Sequence, residues 1–305
     1  MRFFCDTTFE FEPMCSRILI RLEEICSKLQ EYGATRAEES TLVSFASILF
    51  RFCRLQIDIS KRESSLLRLI GSRAIANRIR DFHEELDHFV GMLALEQNEN
   101  RWKEQWDDDQ TQIFADLEGK LSTDDAFISG LDSDAARQET AVLLLYELEV
   151  CRQEKQQPEL QASLERVVER FFRMCEMDAP VIPAWFISRN DVEFHSWNLV
   201  RSEGEHNNTI QHYEGKWRKT NVMIETFPVA SAFVQAASQW HQLNHPNVVK
   251  LFGACHIGSP PFFIYELETQ GIPLQEFLNK DASPEALLTG FFGAEGSQPA
   301  LVLRS

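Results

Sequence analysis

The chain has little basic charge and no long hydrophobic run. Lys and Arg number 30 against 47 Asp and Glu, which gives a net charge of −17 and a pI near 4.9. Because binding to a nucleic-acid backbone needs a strong positive field, we expect no nucleic-acid partner. The longest uninterrupted apolar run, from Ala141 to Tyr146, is far shorter than the roughly 20 residues of a membrane span, which argues against stable membrane insertion.

Closely spaced cysteines are also missing. The seven cysteines are scattered, and no C-x-x-C motif occurs. Such an odd set fits neither a complete disulfide framework nor a zinc ribbon, and it is typical of a reducing compartment. The histidine spacing matches no zinc ligand set, so we predict no metal. No apolar segment that resembles a secretory signal follows Arg2, so we expect a cytoplasmic protein.

Glycine and proline are scarce in the first part of the chain and common in the second. Five Gly and four Pro occur up to Trp185, against eight Gly and seven Pro in the shorter remainder. Pro180 and Pro183 are expected to stop a helix and begin an extended segment. The sequence therefore predicts an α+β protein. Its parts are a helical bundle at 1–180, a linker at 181–190, a second domain at 191–280 and an atypical tail at 281–305.

Apolar residues of the first part recur at helical spacing. The clearest run steps by four and three residues, as in packed bundles: Ile75, Ile79, Phe82, Leu86, Phe89 and Leu93. The same reasoning predicts helices near 18–29, 42–56, 142–150 and 160–175. The stretch 98–133 is acidic, and we expect a loop with a broken helix there. Trp102 and Trp106, four residues apart, are interpreted as core residues.

The second part contains short apolar runs typical of strands, with one helical pattern between them. The predicted strands are 192–194, 221–225, 248–252 and 262–265, and the predicted helix is 231–243. The order is therefore strands, one helix, then strands.

Two runs in this part carry a resemblance. His245-Pro-Asn-Val-Val-Lys-Leu-Phe-Gly, followed by Pro260-Pro-Phe-Phe-Ile-Tyr-Glu, resembles the fourth and fifth strands of the small lobe of tyrosine-kinase-like (TKL) serine/threonine protein kinases. Residues 213–217 and 222–224 resemble its second and third strands, and 274–278 resembles the short helix after the hinge. The resemblance covers about 191–278. The helical part around 79–86 resembles the bundles that precede some kinase-like domains.

The resemblance implies an ATP–Mg²⁺ site, but this chain departs from the pattern at each position that matters. Such kinases use a Gly-rich loop over the phosphates and a third-strand Lys paired with a helix Glu. Here Gly204 is the one glycine of the loop, Glu225 stands in place of the Lys, and Ala236 stands near the Glu position. The catalytic His-Arg-Asp and metal-binding Asp-Phe-Gly motifs do not occur. The adenine slot would lie near the hinge, at Glu266 to Glu268, and the degenerate nucleotide-site positions there are Tyr265, Glu266 and Leu267.

These departures predict a protein that is not an enzyme and uses no cofactor. Two like charges about 4 Å apart repel by about 4 kcal/mol at an effective dielectric near 20, so Glu225 would repel the phosphates that the family's Lys attracts. We therefore expect negligible ATP–Mg²⁺ binding. On its own, Glu225 also fits a solvated residue at a strand end.

Two sets of side chains are candidate interaction surfaces. Eight basic residues lie between positions 51 and 80, among them Arg73, Arg78 and Arg80. They fit a surface for acidic headgroups or phosphates. More often, such charges form a solvated helix face or pair with acidic segments such as 107–109. The second set is apolar and would need a cover such as a partner chain: Phe277, Leu288, Phe291 and Phe292.

The sequence leaves three functions open. The first is a truncated, catalytically inactive kinase-like protein that acts through a protein partner, through self-association or by regulation of related kinases. The second is a serine/threonine kinase whose chain is an incomplete gene model. The third is a membrane-acting helical bundle, which the charge of the first 185 residues opposes, since 22 basic residues face 35 acidic ones for a net of −13.

Overall fold

The computed structural model describes residues 11–31, 39–60, 65–93, 101–121, 123, 131–154, 158–203, 209–228, 233–245, 248–257, 260–267, 272–273 and 302–303. The chain is an α+β protein that divides into two compact units, Met1–Pro180 and Val181–Ser305. This division falls where composition predicted the helical part to end. We describe each unit by itself.

The first unit is helical. Its helices are α1 (Glu12–Glu31), α2 (Glu39–Ser60), α3 (Ser65–Met92), α4 (Arg101–Glu104), α5 (Trp106–Lys120), α6 (Asp134–Glu154) and α7 (Pro158–Cys175). The last begins at a proline, which suits the first position of a helix because that amide has no intrahelical partner.

Helix α3 is the centre of the first unit. Its predicted seam is buried, with Ile75, Ile79, Phe82, Leu86 and Phe89 at most 5% exposed. Helices α1, α2, α5 and α6 all contact α3. A stripe that steps by four and three residues keeps one side of a helix apolar over many turns. This gives α3 a long apolar side against which neighbouring helices pack.

Two parts of the first unit differ from expectation. The acidic stretch is more helical than predicted, because Asp107–Asp109 occupy the first turn of α5, where carboxylates favour the helix dipole, and Ile113 and Phe114 are buried. The sequence predicts that one face of α2 carries Leu42, Phe45, Ala46, Leu49, Phe52, Cys53 and Gln56. This face is wrong at its start, since Leu42 is 43% exposed, and right further along, where Phe52 and Gln56 are buried. Ile48, Leu55 and Ile59 complete the buried side of α2. Residues 41–50 carry no charge, so polarity there did not distinguish the two sides.

The second unit is built on an antiparallel sheet. Its elements are a 3₁₀ turn (Arg189–Asp191), β1 (Val192–Glu203), β2 (Ile210–Trp217), β3 (Thr220–Thr226), α8 (Phe233–Gln242), β4 (Leu251–Cys255) and β5 (Phe262–Glu266). The strand order is β1-β2-β3-β5-β4. A separate ribbon pairs β6 (Ile272–Pro273) with β7 (Val302–Leu303).

The expected linker at 181–190 largely belongs to this sheet unit. Trp185 and Ile187 are 4% exposed, and both are joined to β4 by backbone hydrogen bonds. The Ile187 amide donates to the Ala254 carbonyl at 2.9 Å, and the Ala254 amide donates to the Trp185 carbonyl at 2.8 Å. Gly253 permits this approach, because a Cβ there would lie 2.4 Å from Cδ1 of Ile187. From Trp185 onward, these residues therefore pack into the sheet unit rather than forming a linker.

Candidate functional site

The helix and sheet of the second unit meet in an aromatic layer. The rings of Phe263 on β5 and Phe233 on α8 are stacked with centroids 4.4 Å apart. Trp240 of α8 lies 5.7 Å from Phe263 and 5.3 Å from Tyr265. Phe233, Ala237 and Trp240 are the buried residues of α8, so the helix presents this side to the sheet. We call the sheet side that carries Phe263 and Tyr265 the helix-covered face.

Glu225 lies on the helix-covered face in the middle of the sheet. Its direct partners are His212 on β2 and Phe263 on β5, and directly opposite residues of antiparallel strands project to the same side. The glutamate is only 1% exposed. Its interpretation as a solvated strand-end residue is therefore wrong, because β3 lies between β2 and β5 and offers no open edge at this position.

Two further buried polar side chains, His212 and Tyr265, lie near Glu225 and contact one another. His212 is 3% exposed, and its Nδ1 lies 3.3 Å from the Tyr265 hydroxyl. Tyr265 is itself 5% exposed. Sequence reasoning missed His212, although the two-residue turn between β2 and β3 contained the signal. The register that pairs Trp217 with Thr220 also pairs His212 with Glu225.

The remaining residues of the expected nucleotide site are only partly brought together. Glu266 ends β5 opposite Val222, and Leu267 follows it, both half-buried. Ala236 is half-buried on α8, beside the side formed by Phe233 and Trp240. Gly204 lies outside the described residues, which reach Glu203 on one strand and Ile210 on the other. The apolar candidates of the C-terminal part also lie outside them: Phe277, Leu288, Phe291 and Phe292.

The basic stretch of the first unit is engaged within the bundle. Arg73 was expected on an interaction surface, but it is 6% exposed and donates to Glu147 of α6 at 2.7 and 3.2 Å. The expectation fails because α3 packs against α6 and brings the two charges together inside the bundle. Arg51 pairs with Glu85 at 2.5 Å. Arg80 donates to Asn77 at 2.7 Å, and Arg78 is half-buried.

A polar cluster around His83 joins α1, α3, α4 and α5. The imidazole is fully buried, stacked on Trp102 at 4.5 Å and set edge-on to Trp106 at 6.2 Å, which confirms both tryptophans as core residues. Nη1 of Arg21 lies 3.0 Å from Nδ1 of His83. Burial, then the charge of Arg21 and then that of Arg17, lower the pKa of His83 to about 3. The His83 cluster was not predicted, since its charged members lie far apart in sequence.

Among the residues that the structure describes, no group of three His, Cys, Asp or Glu side chains could hold a metal ion. In the same part of the chain, no helix has the length and apolar character needed to cross a bilayer. No protein-family model matches the sequence.

Proposed function

We propose that this chain is a kinase-like protein without phosphotransfer activity that acts through a protein partner or self-association. The observation that carries the proposal is Glu225, a carboxylate 1% exposed on the central strand β3, at the position where the resemblance requires a lysine.

The order of elements supports the kinase-like interpretation. Three antiparallel strands are followed by one helix and then by two more strands, which is the order that the resemblance requires. In that scheme the third strand carries the phosphate-binding Lys and the following helix carries its Glu partner. Here those elements are β3 with Glu225 and α8, whose sequence contains no carboxylate.

The charge and packing of the helix-covered face oppose nucleotide binding. A carboxylate and a phosphate charge about 4 Å apart repel by about 4 kcal/mol at an effective dielectric near 20. His212 lies directly opposite Glu225 and is buried, as is Tyr265. Nδ1 of His212 lies 3.3 Å from the Tyr265 hydroxyl. Phosphoryl transfer depends almost entirely on positioned charges, so a reversed charge at this position removes a principal source of catalysis.

A thermal-shift titration of the full chain with ATP–Mg²⁺ tests the nucleotide part. A bound ligand raises stability by RT ln(1 + [L]/Kd), so negligible affinity predicts a flat melting temperature up to millimolar nucleotide. Glu225→Gln removes the buried charge, and Glu214→Gln is its exposed control on β2. A saturable rise in the wild type would contradict the proposal. So would transfer of radiolabelled phosphate to a generic substrate that a kinase inhibitor abolishes.

The protein-contact part needs its own measurement. Sedimentation equilibrium over a hundredfold concentration range reports self-association, and cross-linking in cells with the linked peptides mapped to this chain reports a partner. We expect at least one of the two. A concentration-independent monomer with no mapped cross-link would refute this part and leave the nucleotide part standing.

A further inference from the structure

We propose that His83 is an acid-sensitive latch of the helical unit: a proton on His83 breaks its hydrogen bond with Arg21 and releases α1 from α3. This inference concerns the first unit and is independent of the proposed function, which rests on Glu225.

The geometry fixes which ring nitrogen is involved. A guanidinium group only donates hydrogen bonds, so Nδ1 of His83, 3.0 Å from Nη1 of Arg21, must be the acceptor. The proton of the neutral ring therefore lies on Nε2. A second proton has to enter at Nδ1, the atom that faces Arg21. That second proton would remove the hydrogen-bond acceptor of Arg21. It would also place a charged imidazole and a charged guanidinium 3.0 Å apart.

Arg21 is the contact through which α1 would respond. The same Nη1 donates to the backbone carbonyl of His83 at 3.1 Å, and Nη2 pairs with Asp87 at 2.5 Å. All three contacts reach α3. Release of α1 would also expose its core residues, which are fully or almost fully buried: Met14, Ile18, Leu22 and Ile25.

The charges around His83 do not favour a further cation. Helix α1 contributes Arg17 and Arg21, α4 contributes Lys103, α3 contributes Asp87 and α5 contributes Asp109, which makes three cations and two carboxylates. Both carboxylates are already engaged. Asp109 accepts twice from Arg17 at 2.8 Å, and Asp87 also accepts from Trp102 at 3.3 Å.

The direction of the pH effect follows from the pKa. Burial and the two arginines lower the pKa of His83 from its ordinary 6.5 to about 3 in the folded unit. A group with a lowered folded pKa binds its proton more readily after opening. Its contribution to stability is complete above about pH 6.5 and is lost progressively as the pH falls toward 3. The ratio of open to closed bundle rises by about tenfold per pH unit in that window.

The experiment compares the full-length wild type with His83→Gln and with His88→Gln. His88 is exposed on the same helix and is the matched control. Hydrogen exchange of α1 amides, corrected for intrinsic rates, and tryptophan fluorescence are measured from pH 7 to pH 5, above the ordinary carboxylate range near 4. We expect opening of α1 to increase about 25-fold in the wild type and in His88→Gln. The increase should be much smaller in His83→Gln.

Equal pH dependence in the wild type and His83→Gln would overturn the latch. If His83→Gln does not fold, ring-nitrogen NMR of the wild-type chain decides the matter. We expect the His83 ring of the closed bundle to stay neutral to pH 5, with Nδ1 as the acceptor. An ordinary titration near pH 6.5 without any change at α1 would show that the proposal is wrong.

Discussion

The two units of this chain bury polar side chains by different means. In the helical unit the buried guanidinium of Arg73 pairs with Glu147 on another helix, and the half-buried Arg17 pairs with Asp109 in the same way. In the sheet unit the buried polar residues His212 and Glu225 lie next to an aromatic layer, and Glu225 is directly opposite Phe263 of that layer. Long side chains can reach across a helix interface, whereas a sheet fixes neighbours by register.

The difference has an energetic consequence. A buried ion pair adds little stability compared with apolar residues, but loss of one partner leaves an uncompensated charge and is severely destabilising. An aromatic layer loses stability in proportion to the contacts and volume removed. The helical unit should therefore be sensitive to single charge removals, and the sheet unit to truncation of rings.

The largest effect is expected for Glu147→Gln, which removes the carboxylate that accepts from buried Arg73 at 2.7 and 3.2 Å and leaves the more distant, 42% exposed Glu154 at 4.0 Å. We predict a loss of about 3–5 kcal/mol in the free energy of unfolding. Urea unfolding followed by far-UV circular dichroism, with unit-resolved hydrogen exchange, measures it. The exposed neighbour Glu149→Gln is the control and should change stability by about 0.5 kcal/mol at most. A small change in the free energy of unfolding for Glu147→Gln would contradict the expectation that the helical unit is sensitive to single charge removals.

Phe263→Ala tests the sheet unit. The ring is 1% exposed and contacts Phe233 at 4.4 Å and Phe227 at 4.9 Å. Truncation of a buried phenylalanine costs about 3–5 kcal/mol, and we expect a value near the lower end because the remaining aromatic rings can partly close the cavity. Hydrogen exchange should increase in β3 and β5. Val234→Ala, at a 46% exposed position of α8, should leave these strands unchanged.

The same glycine-to-alanine substitution should have opposite signs in the two units. In the sheet unit, Gly253→Ala places a Cβ 2.4 Å from Cδ1 of Ile187 and 2.6 Å from the Trp185 carbonyl oxygen. Overpacking of this kind destabilises by about 1–3 kcal/mol. Accelerated exchange at the Ile187 and Ala254 amides would accompany it, and unaltered exchange there would count against the close approach.

The smallest effect is expected in the helical unit. A Cβ at Gly91, near the end of α3, meets nothing within 4 Å. Because glycine is less favourable than alanine inside a helix, Gly91→Ala should stabilise by up to about 1 kcal/mol. A raised urea midpoint without a change in slope is the expected readout. A lowered midpoint would indicate that α3 bends or frays at this position.

Much of the fold could be predicted from periodicity alone. The seam of α3 and the positions of β3, β5 and α8 all follow from local spacing of apolar residues. The predictions failed where the sequence showed no difference in polarity between the two sides of a helix, or where local charge suggested the wrong structure. In the uncharged half of α2, Leu42 and Ala46 were assigned to the buried side but are exposed, and the acidic start of α5 was expected to lie in a loop with a broken helix.

The candidate sites were less predictable. Glu225 could be identified as an unusual residue from the sequence, but its burial could not, because exposure of a strand residue depends on which strands flank it. Arg73 resembled a surface cation because its partner Glu147 comes from another helix, 74 residues further along the chain. His83 gave no local signal at all, since its partners Arg21 and Trp102 come from other helices.

The sequence by itself determined the two-part organisation and most of the helices and strands, because these depend on the spacing of apolar residues and on where prolines interrupt a helix. The tertiary structure alone decided which charges are buried and what they meet. Glu225 opposite His212, Arg73 with Glu147 and His83 beside Arg21 are juxtapositions of residues from separate elements. Their electrostatic consequences depend on distances and burial that no local pattern encodes.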